Sequence, residues 1–331
     1  MNILITLQAG KLRDQFFPRS IMEQLEQMGT VKVNEFGRTM TQDELAESLP
    51  GIDICLTHSW LGCPVFDEEV LRHAPNLKMI AHVCASVGPF LTDAVYDRGI
   101  QVCSANKIMA RYVAEGTLAY MLSALRRIPQ HDGAMKEGRW QPYDKRSLFG
   151  KRISLIGLGT VGRYLLELLQ PFGVSVRIFD PYLTAEALQS FPRTELVATL
   201  EEAMTWGDLL SIHASRTKET YHLINRHMLS LMKDQAVLIN TARGALIDEK
   251  ALTAELASGR IFAVLDVFEE EPLPFSSVLR AMDNVILQPH CAGDLDYAGY
   301  TQGMVEEIRR FVAGEPLQQE IAQTQFQRMT V

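Results

Sequence analysis

The sequence has few cysteines and no long apolar run, and these two shortages exclude several classes of protein. The cysteines number 5, are scattered, and include no CxxC pair, so neither a disulfide framework nor a zinc site fits. No uninterrupted apolar stretch reaches membrane-spanning length. The first residues, MNILITLQAG, lack the basic region and long apolar core of a secretory signal. We therefore expect a cytoplasmic protein with reduced thiols, no bound metal and no membrane partner.

Positive charge is also in short supply. The 32 lysines and arginines are outnumbered by 40 aspartates and glutamates, which gives a formal net charge of −8. An acidic surface of this kind argues against nucleic acid or an anionic membrane as a partner. The 331 residues exceed one ordinary hydrophobic core, so the chain is expected to form two domains.

The stretch from Lys151 to Asp180 combines an apolar strand, a glycine-rich turn, a helical pattern and a second strand. In the turn, Gly157 permits a tight bend, Gly159 lets a ligand approach the backbone, and Gly162 lets the helix pack close to the strand. The acidic side chain of Asp180 ends the second strand, at the spacing of a residue that accepts hydrogen bonds from ribose hydroxyls. This pattern predicts a dinucleotide whose pyrophosphate lies at the helix N-terminus.

The alternative is that this is only a structural turn of another α/β sheet, because GxGxxG alone is a weak signal. The flanking strand, helix and acid favour the dinucleotide site. A carboxylate at Asp180 repels a 2′-phosphate and so favours NAD over NADP, and Arg177 within the strand weakens that preference only slightly.

The remainder of the chain alternates strand and helix patterns, which predicts parallel sheets with right-handed crossovers. Residues 1–105 contain no glycine fingerprint, so we do not expect them to bind the dinucleotide. One long helix is predicted from Ala105 to Ile128, stopped by Pro129. The polar stretch from Gln130 to Phe149 is predicted to be an irregular arm that contributes to a dimer contact.

Polar and charged residues follow three predicted strands of the second half. The segments are NTARG at 240–244, LDVFEEEP at 265–272 and QPHCAG at 288–293. Ligands of open α/β sheets bind outside the carboxyl ends of the strands, so Arg243, Asp266, Glu271 and His290 can converge beside a nicotinamide ring. His213, which ends another strand, is as readily a packing residue as a cofactor contact.

These residue types match the needs of hydride transfer to a 2-oxo acid. The developing alkoxide takes a proton, which His290 can supply. The substrate carboxylate pairs best with a planar cation, which Arg243 provides. The acid at Glu271 can orient the histidine and favour its protonated form. The non-catalytic alternatives are that the arginine forms a structural ion pair and that Glu269–Glu271 is a solvated acidic run.

With these residues in place, the chain resembles the D-isomer-specific 2-hydroxyacid dehydrogenases. The matching segments include LFGKRISLIGLGTVGR, LINTARGALIDEKAL, AVLDVFEEEPLP and NVILQPHCAG. The resemblance implies a carboxylate anchor, a partner acid and an acid/base at Arg243, Glu271 and His290. It implies cofactor contacts from Gly157, Gly159, Thr160, Val161, Gly162, Asp180, His213, Thr241, Ala242 and Asp266.

The resemblance also implies a domain arrangement, and one loop of this chain departs from the family's pattern. A Rossmann NAD-binding domain, 105–291, is expected to interrupt a flavodoxin-like substrate domain, 1–104 and 292–331, both with doubly wound parallel sheets. Family members carry a GVGVD-like loop after the fourth strand, whose backbone binds the substrate carboxylate. Here the aligned residues are Cys84-Ala85-Ser86-Val87-Gly88, in which both glycines and the aspartate of that pattern are replaced. The resemblance implies that Cys84, Ala85 and Ser86 bind the substrate together with Arg243. A homodimer through 105–150, and no amino-acid-sensing domain after residue 331, are further expectations.

The sequence therefore predicts an NAD-dependent enzyme that interconverts a 2-oxo acid and its D-2-hydroxy acid. One rival is a formate- or phosphite-oxidising relative, but formate enzymes of this type carry glutamine where Glu271 stands. A second rival is an NAD(H)-sensing binding protein of the corepressor kind, which keeps the fold and the three residues. Turnover of NADH with a 2-oxo acid separates these alternatives.

Overall fold

The computed structural model describes residues 1–140 and 142–329, which divide into two compact units. Unit 1 comprises residues 1–109 and 295–331, and unit 2 comprises residues 110–294. Gln141 of the predicted arm, and Thr330 and Val331 at the end of the predicted substrate domain, lie outside the described residues. The division at 104 and 292 stays a prediction about domains. Among the described residues, no helix has the length and apolar character needed to cross a membrane.

Unit 1 is built on one parallel sheet. Its strands are β1 (Asn2–Gln8), β2 (Thr30–Asn34), β3 (Ile54–Thr57), β4 (Met79–His82) and β5 (Gln101–Ser104). They lie in the order β2-β1-β3-β4-β5 and all pair in parallel, which is the doubly wound order of flavodoxin-like sheets. The central strands β3 and β4 are buried along their whole length, as expected of strands covered on both faces.

Unit 2 is built on a second parallel sheet. Its strands are β6 (Arg152–Ile156), β7 (Ser175–Phe179), β8 (Thr194–Leu196), β9 (Leu209–Ile212), β10 (Val237–Asn240), β11 (Phe262–Leu265) and β12 (Val285–Leu287). In the order β12-β11-β10-β9-β6-β7-β8, the strand order reverses at β6, which lies between β9 and β7. This is the Rossmann order extended by one strand. The predicted class, two doubly wound parallel sheets, is confirmed.

The helices in the described residues alternate with the strands. They are α1 (Lys11–Phe16), α2 (Arg19–Met28), α3 (Gln42–Ser48), α4 (Glu68–Leu71), α5 (Asp93–Asp97), α6 (Asn106–Arg126), α7 (Ile128–Lys136), α8 (Thr160–Leu169), α9 (Leu200–Trp206), α10 (Arg226–Leu231), α11 (Glu249–Ala257), α12 (Tyr297–Ala313) and α13 (Gln323–Phe326). In unit 2, one core cluster packs α9, α10 and α11 on one face of the sheet. A second cluster packs α8 and the later part of α6 on the other face.

Local chemistry explains where several helices begin and end. Thr41 caps α3 through a complete capping box with Glu44. Gly314 adopts a left-handed conformation (φ 70°) and ends α12.

The prediction for the segment after α6 was wrong. Pro129 does not stop helical structure, because Arg127 turns the chain in a left-handed conformation and α7 begins at Ile128. Proline is tolerated in a first helical turn, because a backbone N–H at that position would have no partner within the helix. Residues 130–136 of the stretch that was predicted to be irregular are therefore helical.

Candidate active site

The glycine turn lies at the carboxyl end of β6, the strand at which the order of the sheet reverses. Gly157 has φ +88°, and a Cβ there would lie 2.7 Å from the backbone nitrogen of Ala214, which follows β9. Only glycine therefore fits at this position. Gly159 is exposed, and its nearest neighbour would be the carbonyl oxygen of His213 at 3.8 Å. The turn is closed on the side of the sheet and open at Gly159.

The open side of the turn leads into the first residues of α8, Thr160 and Val161. Gly159 is the N-cap and has no side chain to occupy the first N–H groups of the helix. Asp180, directly after β7, accepts a hydrogen bond from the N–H of Leu158 at 2.8 Å, which places its carboxylate beside the turn. Open backbone, a helix N-terminus and a carboxylate at the neighbouring strand end fit a dinucleotide.

Two predicted cofactor contacts direct their polar atoms into the protein. The ring of His213 forms a 2.9 Å hydrogen bond with Ser211, and burial lowers the pKa of His213 to about 4. The hydroxyl of Thr241 forms a 3.0 Å hydrogen bond with Thr117 of α6. These side chains brace the strand ends, so any contact with a cofactor would come from the backbone or the ring edge.

The turn that carries Arg243 is fixed by the last residue of β10. The buried Asn240 side chain accepts from the N–H of Ala242 at 3.0 Å and donates to the carbonyl of Arg243 at 2.8 Å. The next residue, Gly244, is so close to the backbone of Phe268 that a Cβ would overlap the carbonyl group. This contact brings the Arg243 turn against the segment that carries Glu271.

Arg243 is partly buried on this edge of the sheet. Burial lowers the pKa of its guanidinium, and the opposite charge of Glu271 acts to raise it. One N–H donates to the carbonyl of Ala242 at 2.6 Å, which uses one of the five donors of an arginine side chain. The group is a desolvated cation with donors to spare.

Glu271 and His290 form a direct pair. The Nδ1 atom of His290 lies 2.7 Å from Oε2 of Glu271, and the other carboxylate oxygen accepts from the N–H of Phe268 at 3.0 Å. Burial acts to raise the pKa of Glu271, but the hydrogen bonds from His290 and Phe268 outweigh it, so the pKa is lowered. The carboxyl is therefore ionised at neutral pH. The side chains are 49% and 35% exposed for His290 and Glu271, so the pair is open to a substrate.

Asp266 follows β11 and is almost fully buried, at 1% exposure. Its carboxylate accepts hydrogen bonds from the N–H groups of Cys291 at 2.9 Å and Ala292 at 3.1 Å. The hydroxyl of Tyr120 donates to it at 3.2 Å. The predicted nicotinamide contact is thus an internal anchor for the segment that follows His290.

The loop predicted to bind the substrate carboxylate lies in unit 1, at the carboxyl end of β4. Cys84 is buried, at 1% exposure, whereas Ala85 and Ser86 are partly exposed. The ring of His82, the last residue of β4, forms hydrogen bonds with Thr57 at 2.9 Å and with Ser59 at 3.2 Å.

Within unit 2 the structure brings together Arg243, Glu271 and His290, as the sequence predicted. It adds Asn240, the N–H of Phe268 and Tyr120, which the sequence analysis missed. A buried asparagine at the end of an apolar strand was a visible signal for the first. Nothing in the local pattern marked the other two.

The sheet order and the glycine turn define unit 2 as a Rossmann-type dinucleotide-binding unit. The sequence model of the family described as "D-isomer specific 2-hydroxyacid dehydrogenase, NAD binding domain" matches residues 118–292. The chain belongs to the D-isomer-specific 2-hydroxyacid dehydrogenase family, and the resemblance drawn from the sequence is confirmed.

Individual relatives agree with this assignment. The chain is 36% identical over 296 residues to D-3-phosphoglycerate dehydrogenase of Methanocaldococcus jannaschii, covering 88% of this chain and 55% of that protein. It is 39% identical over 233 residues to glyoxylate reductase of Thermofilum pendens, covering 68% of each. The chain thus spans about half the length of the phosphoglycerate dehydrogenases that it matches.

A solved structure shows the same fold. The D-isomer specific 2-hydroxyacid dehydrogenase of Xanthobacter autotrophicus Py2, in complex with NADPH and MES, superposes with a TM-score of 0.75 at 27% identity. The match covers 98% of this chain and 99% of that one.

Proposed function

We propose that this protein is an NAD-dependent dehydrogenase that interconverts a 2-oxo acid and the corresponding D-2-hydroxy acid. The observation that carries the proposal is the 2.7 Å contact between His290 and Glu271, beside the partly buried cation of Arg243. This cluster follows the strands that lie to one side of the glycine turn. NAD, when bound, supplies or accepts the hydride at C2 of the acid.

Arg243 is proposed to bind the substrate carboxylate. A guanidinium matches a carboxylate through two parallel N–H donors, and its charge persists at every physiological pH. Because Arg243 is desolvated, its attraction for an anion is stronger than that of a surface arginine. Its turn is fixed by Asn240 and Gly244, so the cation is preorganised.

His290 and Glu271 are proposed to move the proton. In the direction of reduction, His290 donates a proton to the oxygen on C2 as that oxygen gains charge. Glu271 holds Nδ1, which leaves Nε2 as the atom that faces the substrate. The ionised carboxylate stabilises the imidazolium before the transfer, and in the reverse direction it helps the ring to accept the proton.

The proposed preference for NAD over NADP rests on β7. Asp180 presents a carboxylate beside the glycine turn, where it would repel a 2′-phosphate. Arg177, the nearby cation in that strand, pairs with Glu195 at 3.3 Å and lies 4.8 Å over the ring of Trp206. It is therefore held by other groups and does not offset the charge of Asp180.

A homodimer formed through residues 105–150 is also proposed. Large apolar side chains in this part of unit 2 are exposed: Ile128 at 54%, Met135 at 54%, Trp140 at 88% and Phe149 at 68%. Such surface is typical of a protein interface. Sedimentation velocity should give about twice the chain mass of 37.2 kDa, and a monomer at micromolar concentration would contradict this.

The test of the function is NADH consumption with a panel of acids: glyoxylate, hydroxypyruvate, pyruvate, phenylpyruvate and phosphohydroxypyruvate. The proposal expects oxidation of NADH with at least one of them, and slower oxidation of NADPH. Formate or phosphite as the only substrate would instead support the oxidising relatives. Retained NADH binding without turnover on any acid would support a sensing protein and overturn the proposal.

A further inference from the structure

His290 sits in a backbone conformation that requires outside support. Its φ is +54°, in the left-handed region that residues other than glycine rarely adopt. The N–H of His290 donates to the carbonyl of Asp266 at 2.8 Å, and the next two N–H groups donate to the carboxylate of the same residue. Asp266 therefore holds three successive residues of this turn. A strained backbone persists only where surrounding contacts over-determine it.

The helix α6 completes this support. A Cβ at Gly116 would lie 2.8 Å from the carbonyl oxygen of Ala292, so the helix packs directly on the end of the turn. Tyr120 is four residues further on, and thus on the same helix face. Its hydroxyl donates to Oδ1 of Asp266 at 3.2 Å, the oxygen that also accepts from the N–H of Cys291.

Tyr120 keeps the hydroxyl proton that it donates to Asp266. Burial raises the pKa of its hydroxyl, and the charge of Asp266 adds to the rise. The proton therefore stays on the tyrosine at all working pH values. A buried carboxylate loses stability when a donor is removed, because the group is left partly unsatisfied.

We propose that Tyr120 is a positioning residue for His290 and acts through Asp266. The inference rests on the proposed function, since it concerns the geometry of the proposed acid/base. Tyr120 itself touches neither Glu271 nor His290 by any hydrogen bond among the described residues. Its loss would loosen the turn that aims the imidazole, while the Arg243 turn and the glycine turn keep their own supports.

The test compares Tyr120→Phe with a matched Tyr96→Phe. Both variants delete one hydroxyl, but that of Tyr96 is buried without a hydrogen-bond partner among the described residues. We expect Tyr120→Phe to lower kcat roughly three- to tenfold, with the substrate KM and the Kd for NADH changed less than about twofold. Tyr96→Phe should leave all three constants unchanged. An unchanged kcat in Tyr120→Phe, or an equal loss of NADH affinity, would overturn the proposal.

A second readout does not depend on turnover. In ¹H–¹³C spectra of the protein without substrate, the ring signal of His290 can be assigned by its loss in His290→Gln. Tyr120→Phe should shift or broaden that signal, and Tyr96→Phe should not. If the protein reduces no 2-oxo acid, the proposed function fails, but this comparison still decides whether Tyr120 supports the turn.

Asp266→Asn gives an independent variant should Tyr120→Phe not fold. The amide keeps the shape but loses the charge and one acceptor oxygen, so kcat should fall more than in Tyr120→Phe. The His290 signal should move as well. A loss confined to NADH affinity would mean that Asp266 serves the cofactor and not the turn, which would contradict the proposal.

Discussion

Gly244 offers the sharpest test of how the site is assembled. An added Cβ would overlap the carbonyl group of Phe268, so Gly244→Ala must push the 266–272 segment away from the Arg243 turn. The atoms that this Cβ would meet belong to the backbone of Phe268 and Glu269, which cannot rotate aside as a flexible side chain can. The displacement is therefore of the order of 1 Å, and it falls between Arg243 and Glu271.

The expected effect is large on catalysis and moderate on stability. A misplacement of about 1 Å commonly costs on the order of 10²-fold in rate, so kcat should fall by roughly that factor. Overpacking of this kind costs about 1–3 kcal/mol of folding free energy. The affinity for NADH should change little, because the glycine turn at Gly157 is supported separately by Ala214.

The assay is steady-state kinetics with NADH and the best 2-oxo acid, together with urea unfolding. The matched control is Gly133→Ala in α7, where a Cβ meets nothing within 4 Å and the glycine is not left-handed. This variant should keep full activity, since alanine favours a helix over glycine. A Gly244→Ala protein that retained kcat within about twofold would refute the proposed coupling of Arg243 and Glu271.

Three further predictions concern charge. Glu271→Gln should lower kcat roughly 10²-fold or more, because the amide cannot stabilise an imidazolium, whereas Glu270→Gln should leave kcat unchanged; equal effects in steady-state assays would count against the pair. Asp180→Ala should reduce the ratio of kcat/KM for NADH over NADPH by roughly tenfold, and an unchanged ratio would exclude the proposed repulsion. Burial lowers the pKa of His82 to about 3, so the folded protein keeps this ring neutral while the unfolded chain gains a proton below pH 6.5. Between pH 6.5 and pH 5 this group should therefore lower the free energy of unfolding by about 2 kcal/mol. Over that pH range the urea midpoint should fall less in His82→Asn than in His73→Gln, a control at an exposed histidine. Equal falls in the two variants would reject the assignment.

The sequence predicted the elements whose causes are local. The strand, turn, helix and second strand between Lys151 and Asp180 depend on neighbouring residues, and the structure has them where they were predicted. The glycine turn could be located because positive φ at Gly157 and an open backbone at Gly159 require glycine itself. By contrast, the left-handed turn at Arg127, which lets a new helix start before Pro129, has no local signal.

The meeting of Arg243, Glu271 and His290 could be predicted from a rule of topology. All three follow strands of one parallel sheet, and the carboxyl ends of such strands share an edge. Contacts between a helix and that edge follow no such rule. Tyr120 and Asp266 are 146 residues apart, and their hydrogen bond depends on how closely α6 packs at Gly116.

The most direct test of the central claim is the comparison of wild-type protein with His290→Gln in single-turnover hydride transfer from NADH to a 2-oxo acid. Glutamine preserves a polar side chain but cannot donate the proton as an imidazolium does. We expect the rate to fall roughly 10²- to 10⁴-fold while the Kd for NADH stays unchanged. A variant that transfers hydride at the wild-type rate, or one that loses NADH binding to the same degree as turnover, would contradict the account.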